Sequence, residues 1–247
     1  WAETCSLMAQ AGLVIQPNQK PAFQNFISNV DPLFINWLSK NYTSMGVQRL
    51  PVPHHVHHIP HYLAYLHNLG NLSKAVLLVM DCLSLTDWRV ISPVWTKRHA
   101  DWKIKTETLL AQIPTITSIS RYALISGLRP ADFAGEIEHN IPESRVWELF
   151  WSREGFNENM CKLLSLYYDR QIDQQPELQD PRVNFWCLID DTLDKLAHNA
   201  TLGAADQQSS LQLWLDPAHE QNSIPLENLL DWYLNHDYSI FIASDHG

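Results

Sequence analysis

An unbroken apolar run, Ala-Val-Leu-Leu-Val-Met at residues 75–80, ends directly at Asp81. A segment that is apolar at every position suits a strand buried on both faces, as at the centre of a helix-covered parallel sheet. Residues 109–113, 183–189 and 238–243 are further candidate strands. Because helical patterns separate these segments, the sequence predicts an α/β fold with a mostly parallel sheet flanked by helices.

The chain divides into a helical N-terminal region, residues 1–70, and an α/β core, residues 71–247. Apolar residues three and four apart in residues 23–38 predict one helix, and residues 60–68 predict a second that ends near Gly70. Aromatic helical material at about residues 130–180 reads as an insertion into the core. We expect the core to be incomplete and the chain to be part of a longer protein, since it starts at Trp1 with no initiator Met and stops abruptly at Gly247.

Composition narrows the classes of partner. The 17 basic and 27 acidic residues give a formal charge of −10, which argues against a general nucleic-acid or membrane-surface footprint. No apolar run reaches the ~20 residues that span a bilayer. The four cysteines show no C-x-x-C spacing, so we expect reduced, mostly buried thiols in a cytoplasmic protein.

Four short segments contain residues that bind divalent metals or supply a hydroxyl nucleophile. They are residues 79–81, 114–118, 194–198 and 244–247. Each lies beside a candidate strand, and sites in parallel sheets gather at the carboxyl ends of strands. The four segments together predict a two-metal centre for phosphoryl or sulfuryl transfer.

The candidate ligands have plain alternatives. Asp81 could simply terminate a strand, whereas Asp245 and His246 supply the oxygen and nitrogen that zinc and manganese accept. Asp194 and His198 are four residues apart, so they could hold one ion or form an ordinary helical pair. Two further acidic residues, at positions 190 and 191, stand closer to the preceding strand and could replace Asp194 as the ligand.

The Pro-Thr-Ile-Thr-Ser segment offers a nucleophile at the start of a helix. Thr117 or Ser118 could cap that helix. A metal ion bound to such a hydroxyl would lower its pKa and direct it at phosphorus, and the N–H groups of the first turn favour an anion. Arg121, one turn along, could donate to a phosphoryl oxygen, or it could be a solvated surface arginine.

These segments resemble the alkaline phosphatase superfamily. Its nucleotide pyrophosphatase branch reads Pro-Thr-x-Thr, with Gly ten and Pro thirteen residues after the nucleophile. Gly127 and Pro130 reproduce both spacings from Thr117, which favours Thr117 over Thr115 and Ser118.

The resemblance implies two divalent metal ions, with Zn²⁺ or Mn²⁺ favoured. One would be held by Asp194, His198 and a later His, which has no counterpart before Gly247. The other ion would be held by four residues of the remaining segments: Asp81, Thr117, Asp245 and His246.

Within the superfamily, the chain resembles the PglZ family of bacteriophage-exclusion (BREX) defence systems. The resemblance lies in residues 80–88, residues 194–203 and the Ser-Asp-His-Gly of residues 244–247. It implies a phosphohydrolase with a phosphate-ester substrate, with nucleotides or nucleic acid as the candidate class and other defence proteins as partners. The alternative is a phosphatase-like scaffold that docks those proteins with little catalysis. A sulfatase is disfavoured, since Thr117 cannot be a formylglycine precursor.

Two other clusters admit a functional and a structural interpretation. Six histidines between positions 54 and 67 could bind zinc, but the prolines among them and the lack of acidic neighbours favour helix packing. Trp147, Phe150 and Trp151 could stack on a nucleobase, although packing in the core is favoured.

Overall fold

The computed structural model describes residues 20–47, 53–134, 141–166, 175–200 and 203–246. In these ranges helices and strands alternate through most of the chain. In chain order the elements are α1 Lys20–Gly46, α2 His58–Asn68, β1 Ala75–Met80, α3 Leu85–Arg98, α4 Thr117–Ser126, α5 Pro130–Phe133, α6 Glu143–Arg153, β2 Cys161–Ser165, β3 Phe185–Asp190, α7 Thr192–Asn199, α8 Ala204–Leu215, α9 Ile224–Leu234 and β4 Ser239–Ala243.

The four strands form one parallel sheet in the order β2-β3-β1-β4. The apolar run is therefore an inner strand, with Ala75 paired to Phe185 on one side and to Ser239 on the other. All six residues of β1 are buried, and so are all six of β3. The prediction of an α/β fold with a parallel sheet flanked by helices is confirmed.

The two faces of β1 point into two different cores. Val76, Leu78 and Met80 join a cluster that includes side chains of α3, α8 and α9. Ala75, Leu77 and Val79 face a second cluster that includes side chains of α2, α4 and α6. Burial on both faces explains why this strand shows no alternation of polar and apolar residues.

Two of the predicted segments differ in the structure. Residues 109–113 are not a strand, because their backbone groups bond elsewhere: Leu110 N donates to His54 O, and Ile113 N donates to the Tyr42 hydroxyl. The range 130–180 is not helical throughout, since it contains β2. Cys161 and Leu163 of this strand are buried between less buried neighbours, a period of two that suits a sheet.

Aromatic side chains of α6 belong to the core. Trp147, Phe150 and Trp151 are each at most 2% exposed, and Trp151 stacks on Phe185 with ring centroids 3.7 Å apart. These residues are covered by protein, so the packing interpretation of the cluster is confirmed. A nucleobase could not reach them without opening the core.

The histidine segment packs against the C-terminal end of α1. The Nε2 atoms of His57 and His58 each lie 3.2 Å from Gly46 O, and His55 Nε2 lies 3.2 Å from Tyr42 O. Burial and the neighbouring His58 lower the pKa of His57 to about 4. Burial also lowers the pKa values of His55 and His58. These neutral imidazoles satisfy carbonyls at a helix end, which is the packing role expected of the segment.

We expect the free energy of unfolding to fall as the pH drops from 6.5 toward 4. The unfolded chain takes up a proton at His57 in this window and the folded chain does not, because the folded pKa is about 4 against an ordinary value of 6.5. His57 contributes a slope of about 1.4 kcal/mol per pH unit. Urea unfolding at several pH values measures this slope. His57→Gln should flatten it, while the same change at exposed His219 should leave it in place.

Further predictions concern the cysteines, the N-terminal region and membrane-spanning helices. Cys82, Cys161 and Cys187 carry free thiols, as expected, and Cys5 lies outside the described residues. In the N-terminal region, residues 20–46 form the helix α1, and residues 1–19 lie outside the described part of the chain. Among the described helices, none has the length and apolar character needed to cross a membrane.

Candidate metal centre

Asp81 emerges at the carboxyl end of the inner strand β1. Its backbone N–H donates to Asp190 O at 2.8 Å, which extends the β1–β3 ladder by one residue. The chain then turns sharply, with Leu83 N bonded to Met80 O and Cys82 at a φ of 63°. A left-handed conformation is uncommon for a residue with a Cβ. This turn leaves the Asp81 carboxylate at the sheet edge, only 7% exposed.

Asp245 and His246 follow β4, the neighbour of β1 in the sheet. The Asp245 side chain is fully buried, and its Oδ1 accepts the His246 backbone N–H at 2.9 Å. His246 Nε2 lies 3.3 Å from Asp81 Oδ1. Parallel pairing of β1 with β4 brings these two segments to the same edge, as the sequence predicts.

Thr117 is the first residue of α4 and joins the same cluster. Its Oγ1 lies 2.7 Å from His246 Nε2. The predicted capping role is wrong, because Ile116 occupies the cap position and no side chain caps the helix. Thr115 and Ser118 are exposed, whereas Thr117 is half-buried. The geometry thus favours Thr117 as the hydroxyl that belongs to the site.

Arg121 ties the cluster together from the next turn of α4. Its Nη2 donates to Asp81 Oδ2, and its Nε donates to Asp245 Oδ2 at 3.0 Å. Burial acts to lower the Arg121 pKa, but the charges of Asp245 and Asp81 outweigh that effect and the pKa is raised. Arg121 is therefore charged and largely buried, which excludes the interpretation as a solvated surface arginine.

Asp81, Asp245 and His246 form a possible metal-binding triad. One ligand atom of each lies within 4.8 Å of the others. Asp81 Oδ1 is buried and has no hydrogen-bond partner among the described residues. A buried carboxylate oxygen without a partner is costly, and a cation would satisfy it. Two carboxylates and one imidazole suit zinc or manganese, so the residues present fit such an ion.

Burial affects the protonation of this triad. Burial is the largest effect on Asp245 and raises its pKa. The charge of Arg121 acts to lower this pKa and the charge of Asp81 acts to raise it, and the net pKa lies above the ordinary value. Burial therefore makes the ionised form of Asp245 less favourable than it is in water. A cation at the triad would favour the ionised form, as metal binding does wherever ligands must lose protons.

Asp194 and His198 lie outside the triad. They sit on α7 and pair with each other, Oδ1 to Nε2 at 3.4 Å, with the His198 side chain 78% exposed. The charge of Asp194 contributes, after burial, to raising the pKa of the Cys82 thiol, so Asp194 stands within electrostatic range of the Asp81 turn. The first metal site, with Asp194 and His198 as ligands, stays a prediction.

The two alternatives to Asp194 have other contacts. Asp190 is fully buried beside Met80 in the sheet, and its Oδ1 accepts the Thr192 N–H at 2.9 Å. Asp191 pairs with Lys195 at 2.8 Å. Neither residue belongs to the triad in the described part of the chain.

Sequence reasoning missed Glu143, a further carboxyl near the centre. It is the first residue of α6, a helix that packs on α4. Burial raises the pKa of Glu143, the Arg121 charge lowers it and the Asp81 charge raises it, and the net pKa is raised. Glu143 comes near the centre because α6 packs on α4. No local motif in residues 130–180 predicts that packing.

Gly127 has a structural reason for its spacing from Thr117. It ends α4 with a φ of 70°, and a Cβ there would meet His61 Nε2 at 2.7 Å and Phe150 at 3.0 Å. Glycine suits this left-handed position at the end of a helix. The distance in sequence from Thr117 to Gly127 therefore follows from the length of α4, whatever family the chain belongs to.

Comparison with known proteins does not add to this geometry. No protein-family model matches the chain, and no curated protein matches it. The resemblance to the alkaline phosphatase superfamily and its PglZ family stays a prediction that rests on the sequence motifs.

Proposed function

We propose that this protein is a metal-dependent phosphohydrolase of the alkaline phosphatase type, with Thr117 as the nucleophile. One observation carries the proposal: the hydroxyl at the start of α4 lies 2.7 Å from the imidazole of the metal-binding triad. A hydroxyl beside a site for a divalent cation, at a helix N-terminus, is the arrangement that in-line attack on a phosphate ester requires.

Asp81, Asp245 and His246 would hold one divalent ion, with Zn²⁺ or Mn²⁺ favoured by the mixed oxygen and nitrogen ligands. Such an ion would lower the pKa of the threonine hydroxyl and stabilise negative charge on the reacting oxygens. Asp194 and His198, on the neighbouring α7, are the residues proposed for a second ion.

The protein side chains perform the remaining tasks. Thr117 Oγ1 lies 2.7 Å from His246 Nε2 in this structure. In the proposed reaction Thr117 Oγ1 attacks phosphorus as the ester P–O bond breaks, and the departing oxygen takes up a proton and leaves as the alcohol. Water then hydrolyses the phosphothreonine and regenerates the hydroxyl. Arg121 lies one turn along from Thr117, and its forked donors would bind phosphoryl oxygens once they are released from Asp81 and Asp245.

The substrate class that we propose is a phosphate mono- or diester, with nucleotides or nucleic acid as candidates. Formal charge of −10 gives no general attraction for a polyanion, so recognition must be local to the metal centre. The buried aromatic side chains of α6 supply no stacking platform. A role beside other proteins of an anti-phage defence system follows from the resemblance alone.

The first test is hydrolysis of an aryl phosphodiester by the full-length protein with Zn²⁺ or Mn²⁺. We expect turnover that chelation abolishes and that Asp245→Asn lowers at least tenfold, since the change removes the charge of a fully buried ligand. Asp101→Asn at an exposed position is the matched control and should retain turnover. Activity that survives both chelation and Asp245→Asn would remove the basis of the proposal.

A second candidate function is a docking scaffold of the same fold with little catalysis. One observation favours it: α1 exposes large apolar side chains, with Leu33 70% and Ile35 61% exposed. Exposed apolar patches of this kind mark interaction surfaces. The hydrolysis assay separates the two functions, because a scaffold would show no metal-stimulated turnover.

A further inference from the structure

Arg121 engages both carboxylates of the metal-binding triad at once. Its guanidinium donates to Asp81 Oδ2 through Nη2 and to Asp245 Oδ2 through Nε. The Arg121 side chain is 13% exposed and the Asp245 side chain is fully buried, so water screens this contact weakly. Charge-assisted bonds in such surroundings are among the strong ones.

Both oxygens of the Asp245 carboxylate already accept a hydrogen bond. Asp245 Oδ2 is held by Arg121, and Asp245 Oδ1 accepts the backbone N–H of His246 at 2.9 Å. Asp81 differs, because its Oδ1 has no hydrogen-bond partner in the described ranges. A cation at Asp81 Oδ1 would lie beside His246 Nε2, which is 3.3 Å away, whereas a cation at Asp245 would share an oxygen that already accepts a hydrogen bond.

Of these contacts, the bond to Arg121 is the one that a divalent ion would weaken, because both groups are positively charged. A guanidinium and a divalent ion on the same pair of carboxylates would repel each other in a largely buried site. The bond from His246 N to Asp245 Oδ1 is different, since it is made by a neutral group and links adjacent residues.

We propose that Arg121 is an internal cation that competes with the divalent metal ion for the carboxylates of Asp81 and Asp245. In the metal-free protein Arg121 keeps these ligands in place and offsets their mutual repulsion. Metal binding loosens that contact, so Arg121 sets the affinity of the site. This inference rests on the metal centre of the proposed function and adds a regulatory role to it.

The competition implies an order of binding. While Arg121 holds both carboxylates, two of its donors are occupied. Metal binding releases those donors one helical turn from Thr117, where the proposed reaction needs groups that bind phosphoryl oxygens. A phosphate ester should therefore bind tightly only after the metal ion does.

The test is calorimetric titration of the metal-free, full-length protein with Mn²⁺. We expect Arg121→Met to bind Mn²⁺ at least tenfold more tightly than the wild type and to have a lower Tm without metal. Arg129→Met is the matched control, since Arg129 forms an exposed ion pair with Asp132 outside the triad. Its Mn²⁺ affinity should equal that of the wild type.

The outcomes separate this inference from the proposed function. Equal or weaker Mn²⁺ binding by Arg121→Met overturns the competition and leaves the hydrolase proposal standing. Tighter Mn²⁺ binding by Arg121→Met, together with no metal-dependent hydrolysis by the wild type, supports the competition and removes the hydrolase. Absence of Mn²⁺ binding in every protein tested overturns both.

A second variant and a second measurement guard against loss of folding. Arg121→Lys keeps the charge, but one ammonium group cannot fork between two carboxylates, so its Mn²⁺ affinity should also exceed that of the wild type. In the wild type, the NMR signal of the Arg121 Nε–H should shift when Zn²⁺ is added. An unchanged signal at saturating Zn²⁺ would contradict the competition.

Discussion

Thr117→Ala is expected to reduce metal-dependent phosphodiester hydrolysis by about 10³-fold or more, the scale of effect seen when a catalytic nucleophile is removed. The change deletes the hydroxyl that lies 2.7 Å from His246 Nε2 and leaves the three triad ligands in place. Metal affinity should change much less than turnover. The measurement is kcat/KM together with the Kd for Mn²⁺.

The neighbouring hydroxyl supplies the control. Ser118 is the next residue of α4 and is exposed, so Ser118→Ala should retain turnover within a few-fold. Acid quenching during turnover, followed by mass spectrometry, should find phosphate on Thr117 of the wild type. Phosphate on another residue, or full turnover by Thr117→Ala, would contradict the role of this threonine as nucleophile.

Trp151→Ala is expected to lower the free energy of unfolding by about 3–5 kcal/mol. Trp151 is 0% exposed, and it stacks on Phe185 at 3.7 Å with an interplanar angle of 17°. Its Nε1 is buried without a hydrogen-bond partner in the described part of the chain, so the loss comes from packing. Urea or guanidinium unfolding measures the difference.

An exposed tryptophan provides the comparison for this core substitution. Trp37 on α1 is 43% exposed, so Trp37→Ala should change the free energy of unfolding by about 0.5 kcal/mol or less. A cost below about 1 kcal/mol for Trp151→Ala would contradict its placement in the core. It would also reopen the interpretation of α6 as a surface that stacks on bases.

The sequence predicts those parts of the fold that local pattern determines. The apolar run of residues 75–80 is β1, and the apolar residues at positions 226, 229, 230 and 233, three and four apart, form the buried face of α9. Burial on both faces leaves an uninterrupted apolar segment, and burial on one helix face leaves a spacing of three and four. Both patterns can be read without knowing the partner surfaces.

Other features depend on contacts between remote segments. The short strand β2 has little apolar signal of its own and is held by its pairing with β3. Arg121 is recognisable as a candidate ligand for phosphate, but nothing local shows that it bridges Asp81 and Asp245. Glu143 carries no motif, and its place near Arg121 follows from how α6 packs on α4.

The motifs were informative about which side chains meet because parallel strands deliver their carboxyl ends to one edge. That rule brings Asp81 together with Asp245 and His246 across β1 and β4. It does not decide the position of Asp194 and His198, since both lie on α7, beyond the end of β3. Helix orientation is set by tertiary packing, which spacing in sequence does not encode.

The order of strands in the sheet has a consequence for how the protein folds. β1 completes its pairing only when both β3 and β4 have formed. β4 consists of residues 239–243, near the far end of the described chain. Pairings between such remote segments close large loops and are slow to form. Because Asp245 and His246 follow β4, the triad is complete only once β4 has paired with β1. We expect Mn²⁺ uptake at the proposed site during refolding to report this pairing.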